Sequence, residues 1–175
     1  MTAINEQMSV CHLPIVKSLV WADEAATRLF ATQLAGQAAL RHCYLELRGE
    51  LGAGKTTLVR HLLQALGVTE RIKSPTYAVV EPYELASTPG DPRPLAIWHF
   101  DFYRFNDPRE WEDAGFRDIF ASPGLKLAEW PEKAAAFVPQ ADLVLGIDVQ
   151  TDGVRQVQLV AQTPPGAMLL ATVAR

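Results

Sequence analysis

Apolar residues recur along the chain in two spacings, one typical of helices and one typical of strands. A helix is predicted between Asp23, which suits an N-cap, and Gly36, because the apolar positions between them share one face. A second helix is predicted over residues 56–66, closed by Gly67. Short apolar runs predict strands at residues 43–48, 77–83, 95–100, 124–130, 141–149 and 154–162. Strands that alternate with helices indicate an α/β fold, and the last two strands form an antiparallel hairpin at its edge.

Weaker patterns complete this outline. Short helices are expected over residues 106–115, where Pro108 suits the first helical position, and after Pro131. Residues 1–20 are expected to form an irregular N-terminal segment, and residues 163–175 a loosely held tail. The chain between these two segments is expected to fold as one domain.

The loop after the first predicted strand has the composition of a phosphate-binding loop. Residues 49–56 complete the pattern G-x-x-x-x-G-K-[ST], the Walker A loop or P-loop. Glycine lets main-chain N–H groups approach phosphate oxygens closely, and the helix that follows points its positive end at the anion. Lys55 supplies a cation for the outer phosphates, and Thr56 supplies a hydroxyl for Mg²⁺. An apolar strand precedes the loop and an amphipathic helix follows it, so nucleotide binding is predicted.

Hydrolysis requires more than a phosphate grip, because an acidic group must organise the metal or the attacking water. Asp101 follows an apolar run that resembles a Walker B strand, and Glu129 ends the run "LKLAE". Both acids would lie at the carboxyl edge of the sheet, facing the phosphates. A helix cap or a surface ion pair remains the alternative for each. The residues expected to contact the nucleotide through the loop are Glu50, Leu51, Gly52, Ala53, Gly54, Lys55, Thr56 and Thr57.

Composition narrows the class of protein. The chain has 175 residues, 49% of them hydrophobic, and a net charge of −4, which argues against autonomous binding to nucleic acid. Cys11 and Cys43 have no metal-binding spacing, and Cys43 is expected to be a buried core residue. No apolar run approaches the ~18 residues that span a membrane, and no signal-peptide pattern is present, so a cytoplasmic location is expected.

Four segments together resemble one known family. They are "GELGAGKTTL" (49–58), "KSPTY" (73–77), "HFDFYR" (99–104) and "LAEWPEK" (127–133). In this order the chain resembles TsaE, formerly YjeE, over residues 20–162. The resemblance implies a P-loop NTPase-like three-layer sandwich with a mostly parallel sheet and an antiparallel edge hairpin, and an ATPase domain at residues 21–162. It also implies ATP and Mg²⁺ as ligands, and weak hydrolysis that the partners TsaB and TsaD stimulate. The work of that machinery is to make N6-threonylcarbamoyladenosine on tRNA, with ATP hydrolysis resetting or regulating the TsaB–TsaD complex.

The resemblance also implies roles for individual residues. Thr76, in the segment "SPTY", would sense the nucleotide state, although a turn that feeds a strand is the simpler interpretation of that segment. Asp101 would be the catalytic acid, and Glu129 would bind Mg²⁺ together with Thr56. The family also approaches the base side of the nucleotide at the positions of Glu24 and Arg155. Residues expected only to pack near the site are His99, Tyr103 and Trp130, while Arg104 contacts either a phosphate, a partner or a surface acid.

Three other functions remain open from the sequence. A small-molecule kinase needs a lid that presents arginines, and the one clustered candidate, "DPRP" (91–94), holds a single arginine. A GTP-binding switch would carry the base-reading sequence N-K-x-D, which is absent. A direct RNA-binding module conflicts with the acidic charge, although Arg71 and Lys73 could contact tRNA inside a complex.

Overall fold

The computed structural model of the protein describes residues 14–87 and 94–173. Cys11 and the arginine of the candidate lid, Arg93, lie outside these residues. The described chain contains seven strands, β1–β7, at Ile15–Trp21, Tyr44–Arg48, Val80–Leu85, Leu95–Asp101, Leu125–Glu129, Leu143–Val149 and Arg155–Ala161. It contains five α-helices, α1–α5, at Glu24–Ala35, Lys55–Leu66, Pro108–Asp113, Phe116–Ala121 and Pro164–Val173. Short 3₁₀ turns cover Ala38–His42 and Pro131–Ala134. None of the described helices is long and apolar enough to cross a bilayer.

All seven strands form one sheet in the order β1-β7-β6-β2-β5-β4-β3. The four central strands, β6, β2, β5 and β4, run parallel, and the strands on both flanks pair antiparallel. The predicted α/β fold, its parallel centre and its antiparallel hairpin of β6 and β7 are therefore confirmed, with β1 rather than the hairpin forming that edge of the sheet. Because the central strands are parallel, their carboxyl ends meet at one edge of the sheet, where Asp101 pairs in register with Glu129.

Helices cover both faces of the sheet, which gives the three layers that the family resemblance implies. On one face α1, α2 and α5 bury apolar side chains such as Leu34, Leu62 and Leu169 against the strands. On the other face α3 and α4 contribute to an aromatic cluster around Trp111 and Phe100, which packs over β2, β4 and β5. Aromatic side chains bury large areas, so this second layer supports the strands that carry the two acids.

Several boundaries differ from the sequence predictions. Residues 15–20, expected to be irregular, belong to β1, which pairs with β7 from Ile15↔Ala161 to Trp21↔Arg155. The strand escapes a pattern search because it lies at the edge of the sheet and only Trp21 among its residues is fully buried. The expected loose tail contains α5, held by buried Leu169, Leu170 and Val173. Strand β3 begins at Val80 rather than residue 77, because the chain turns through residues 76–79.

Candidate nucleotide-binding site

The glycine-rich loop lies between β2 and α2, where the sequence predicts it. Gly49 has a φ of +143°, and a side chain there would place its Cβ 2.4 Å from the Ile147 carbonyl oxygen, so glycine is required. Gly54 has a φ of +106° and caps α2 without any side-chain hydrogen bond. The first main-chain N–H groups of α2 are therefore left for an anion.

Lys55 lies at the centre of this loop and is buried. Its Nζ donates to the carbonyl oxygens of Gly49, at 2.6 Å, and Glu50, at 2.9 Å, and lies 4.0 Å from the centre of the Trp130 ring. Burial lowers the pKa of this ammonium, and the negative charge of Glu129 opposes that shift. The loop thus holds a cation at the point where the motif needs one.

A cavity of about 280 Å³ opens between the loop and the carboxyl ends of β4 and β5. Its walls are the loop with the first turn of α2, the segment 74–76, and the residues that end the two strands. The structure therefore brings together five residues that the sequence singled out for chemistry: Lys55, Thr56, Thr76, Asp101 and Glu129.

Glu129 faces the loop with a buried carboxylate. The Thr56 hydroxyl donates to it, with Oγ1 2.8 Å from Oε1 and 3.0 Å from Oε2. His99 contacts Oε1 through Nε2 at 2.9 Å. His99 is fully buried, as the expected packing role requires, but it also contacts the acid, which the sequence prediction did not foresee. Its place two residues before Asp101, on the same face of β4, was a signal for a position near the site but not for the contact with Glu129.

Asp101 is likewise buried and gathers the segment "SPTY" around it. Its Oδ2 accepts from the Thr76 hydroxyl at 2.5 Å and from the Ser74 hydroxyl at 3.2 Å, and its Oδ1 accepts from the Tyr103 N–H at 3.0 Å. The segment reaches β3 through Val79, whose φ of +66° is rare for a β-branched residue. The turn that the sequence offered as the simpler interpretation is present, and it also contacts the acid.

The last two residues of "HFDFYR", Tyr103 and Arg104, are exposed, and Tyr103 lines the cavity. Tyr103 packs on Trp130, with ring centres 5.0 Å apart. Arg104 lies over the ring of Tyr77 at 4.2 Å and donates from Nη2 to the tyrosine hydroxyl at 3.3 Å. Tyr77 is 83% exposed, so this pair projects into solvent.

The two residues assigned to the base side of the nucleotide lie in different places. Arg155, at the start of β7, donates from Nε to the carbonyl oxygen of Ala53 at 3.1 Å and so touches the loop. Glu24, at the start of α1, contacts Nε2 of His61 at 2.9 Å, and its side chain is 70% exposed. Glu24 is not in the wall of the cavity.

The residues present fit a magnesium ion that binds with the nucleotide. No group of three or more His, Cys, Asp or Glu side chains among residues 14–87 and 94–173 is placed to hold a metal ion. Mg²⁺ normally keeps waters and uses one or two protein oxygens together with substrate phosphates. The Thr56 hydroxyl and the Glu129 carboxylate, in contact beside the loop, are oxygen donors of that kind.

Sheet order, loop and buried acids together define the protein as a P-loop NTPase-like α/β protein. A solved structure with the same fold is that of Bacillus subtilis YdiB, with a TM-score of 0.71 and 24% identity, covering 94% of this chain and 97% of YdiB. The chain belongs to the family described as threonylcarbamoyl adenosine biosynthesis protein TsaE, whose model matches residues 21–157.

Two curated relatives support that membership. The Haemophilus influenzae relative is 43% identical over 125 residues, which is 71% of this chain and 74% of the relative. The Bacillus subtilis relative is 33% identical over 117 residues, which is 67% of this chain and 68% of the relative. Both carry the name tRNA threonylcarbamoyladenosine biosynthesis protein TsaE. The resemblance seen in the four sequence segments is thereby confirmed.

Proposed function

We propose that the protein hydrolyses ATP within the machinery that makes N6-threonylcarbamoyladenosine on tRNA, where hydrolysis resets or regulates a TsaB–TsaD complex. Family membership supports the pathway. The observation that carries the hydrolytic activity is the contact between Thr56 and Glu129 beside Lys55, with Asp101 across the same cavity. A P-loop, a metal-binding pair and a second acid are the parts that phosphoryl transfer to water requires.

The loop is the phosphate-binding part of this site. Main-chain N–H groups of residues 50–57 surround the phosphates, and the Lys55 ammonium moves from the carbonyls of Gly49 and Glu50 to the outer phosphate oxygens. Thr56 and Glu129 would hold Mg²⁺, which would supply positive charge to the phosphates during the reaction. Arg155 fixes the loop at Ala53 and borders the base side, together with Glu24.

Asp101 acts on the water that attacks. Its carboxylate accepts a hydrogen bond from that water and orients the oxygen in line with the terminal phosphorus. The bond from water oxygen to phosphorus forms while the bond to the leaving oxygen of ADP breaks, and one proton of the water passes to an oxygen of the transferred phosphoryl group, giving ADP and inorganic phosphate. The Thr76 hydroxyl donates a hydrogen bond to Asp101 at 2.5 Å. When ATP binds, Thr76 gives up this hydrogen bond and forms another near the γ-phosphate, so its position depends on which nucleotide is bound.

Hydrolysis by the isolated chain is weak, because the hydroxyls of Ser74 and Thr76 occupy the Asp101 carboxylate. TsaB and TsaD stimulate the reaction by shifting the segment that carries these hydroxyls. A net charge of −4 favours tRNA contact only through the complex, and the expected location is the cytoplasm.

A small-molecule kinase is not favoured. Such an enzyme would need arginines over the phosphates, and the exposed Arg104 beside the cavity lies over Tyr77 instead. Phosphate that appears on an added metabolite, rather than as free phosphate, would support the kinase.

The proposed function is tested by ATP turnover of the wild type and of Glu129→Ala, each with and without TsaB–TsaD. We expect slow turnover by the wild type alone, strong stimulation by the partners, and loss of the stimulated rate in Glu129→Ala. Rapid turnover by the isolated chain that TsaB–TsaD leave unchanged would refute the regulatory role. Full stimulated turnover in Glu129→Ala would refute the assignment of the acid.

A further inference from the structure

We propose that His99 is a positioning residue that holds the Glu129 carboxylate in the orientation needed for Mg²⁺-nucleotide binding. The inference rests on the proposed function, and it concerns a residue that does not itself reach the cavity. His99 is fully buried and is not in the cavity wall, whereas Glu129 is. Any effect of His99 on the nucleotide must therefore pass through Glu129.

The geometry between the two residues is fixed by the sheet. His99 lies on β4 and pairs in register with Leu127 on the parallel strand β5, two residues before Glu129. From this place its Nε2 meets Oε1 of Glu129 at 2.9 Å. Both residues belong to central strands, so the contact is set by main-chain pairing rather than by a loop.

The surroundings of the imidazole indicate which nitrogen carries the proton. Nδ1 of His99 is buried and has no hydrogen-bond partner among the described residues. Since a carboxylate can only accept, Nε2 is the donor to Glu129 and carries the ring proton. The ring thus makes one hydrogen bond, and that bond is to the acid.

Glu129 needs such an anchor because two other groups attract it. The Thr56 hydroxyl donates to both of its oxygens, and that hydroxyl must turn to the ion when Mg²⁺-nucleotide binds. Among the charged groups around the Lys55 ammonium, Glu129 raises its pKa most strongly, against the larger lowering by burial. When the Thr56 hydroxyl gives up its hydrogen bond to Glu129, the hydrogen bond from His99 keeps Oε1 in place. Glu129 then faces the ion instead of turning toward Lys55. Partners of this kind orient metal ligands in many proteins.

A matched pair of variants tests the inference. In His99→Gln the side-chain amide can reach the position of Nε2, whereas in His99→Asn it ends near the position of Nδ1. The measured quantity is the gain in affinity for a non-hydrolysable ATP analogue between EDTA and Mg²⁺, determined by calorimetry. We expect His99→Asn to lose this gain by roughly 10–100-fold, as for other residues that support metal ligands. We expect His99→Gln to retain most of it, and both variants to keep the wild-type affinity in EDTA.

Stability and function are separated by two further measurements. Thermal unfolding establishes that each variant folds, and His99→Met, of similar length and without a donor, replaces His99→Asn if that variant does not. Lys126→Met is the matched control for loss of a buried polar group on the neighbouring strand, and we expect it to leave the Mg²⁺ gain unchanged.

The outcomes distinguish this inference from the proposed function. A wild type that binds no nucleotide would overturn the proposed function, and the role of His99 with it. If the wild type gains affinity for the ATP analogue when Mg²⁺ is added, and folded His99→Asn gains as much, only the role of His99 would be overturned. Loss in His99→Asn with recovery in His99→Gln supports it.

Discussion

Two buried charged residues lie three positions apart on strand β5 and differ in what they contact. Lys126, near the amino end, is 5% exposed, and its Nζ donates to the carbonyl oxygens of Ser122 and Gly124. Glu129, at the carboxyl end, is 3% exposed and is bonded by the side chains of Thr56 and His99. One strand therefore carries a charge held by main chain at one end and a charge held by side chains at the other.

The difference shows which buried charges are available to a ligand. A carbonyl oxygen fixed by the fold cannot leave its donor without moving the chain, whereas a hydroxyl can rotate toward another partner. Thr56 and Thr76 are such hydroxyls, each on a buried acid at the carboxyl edge. Lys55 is an intermediate case, because its carbonyl partners belong to the phosphate loop itself. At the carboxyl edge of the sheet, the buried charges are therefore bonded by groups that can change partner when a ligand binds. At the amino edge, the buried charge is bonded by main chain that stays in place and stabilises the fold.

Glu129→Gln should show the difference between the two ends of β5 most clearly, because it should affect activity far more than stability. The change keeps the shape and one acceptor oxygen but removes the charge that would hold Mg²⁺. We expect stimulated ATP turnover to fall at least ~100-fold, the scale of a lost electrostatic group in an active site. The free energy of unfolding should change by less than about 1 kcal/mol, because the bonds from Thr56 and His99 can still be accepted. ATP turnover assays and urea denaturation measure the two effects. A large loss of stability would show that Glu129, like Lys126, mainly stabilises the fold.

Thr76→Val should produce the next largest effect. The variant keeps the volume but removes the hydroxyl that lies 2.5 Å from Asp101, a hydrogen bond to a charged group. In the proposed reacting state this hydroxyl bonds near the γ-phosphate instead, and loss of that bond corresponds to about a tenfold fall in stimulated turnover. Thr32→Val is the control, because the Thr32 hydroxyl donates to the Arg28 carbonyl on the exposed side of α1. Equal rates in the two variants would contradict a role for Thr76 in the reaction.

The carboxyl edge was largely predictable from the sequence, since its signals are local. The loop motif is complete within residues 49–56, and Asp101 and Glu129 each end an apolar run that becomes a central strand. The contact of His99 with Glu129 was not predictable, because it depends on β4 and β5 being neighbours in the sheet. No spacing along one strand encodes which strand lies beside it.

The flanks of the molecule were harder to predict. Strand β1 shows little burial, and its structure depends on pairing with β7, about 140 residues later. Helix α5 begins with two prolines and contains Gly166, so its intrinsic propensity is low. Its helical form depends instead on tertiary packing of Leu169 and Leu170.

Lys126→Met tests the amino end through the pH dependence of stability. Burial lowers the pKa of Lys126 from its ordinary value of 10.5, so between the lowered value and 10.5 the unfolded chain binds more protons than the folded chain. Stability contributed by this group therefore rises with pH in that window. We expect the free energy of unfolding of the wild type, relative to Lys126→Met, to increase as pH approaches 10.5, with ATP turnover at neutral pH unchanged. If the difference in free energy of unfolding between the wild type and Lys126→Met did not change with pH, Lys126 would not be a buried ammonium.

Cys43 gives the smallest expected effect, because it is a second buried donor at the amino end. It lies immediately before β2, is fully buried, and its Sγ donates to the Ala39 carbonyl oxygen at 3.1 Å. Burial raises the pKa of the thiol from 9.0 to about 12, with a smaller contribution from the negative charge of Asp142. Since the thiolate is the reactive form, labelling in the folded state should be about a thousandfold slower than in the denatured chain.

The measurement uses a Cys11→Ser background, so that Cys43 is the remaining thiol, with alkylation followed by mass spectrometry at neutral pH. Thr172→Cys in the same background is the control, because that position on α5 is exposed and its thiol should react at once. Protection of Cys43 that persists when nucleotide and partners are added would mean that the amino edge stays closed while the carboxyl edge exchanges its hydrogen bonds. Rapid labelling of Cys43 in the folded protein would show that main-chain contacts at the amino edge open as readily as the hydroxyl contacts of the site. The two ends of β5, marked by Lys126 and Glu129, would then not have different roles.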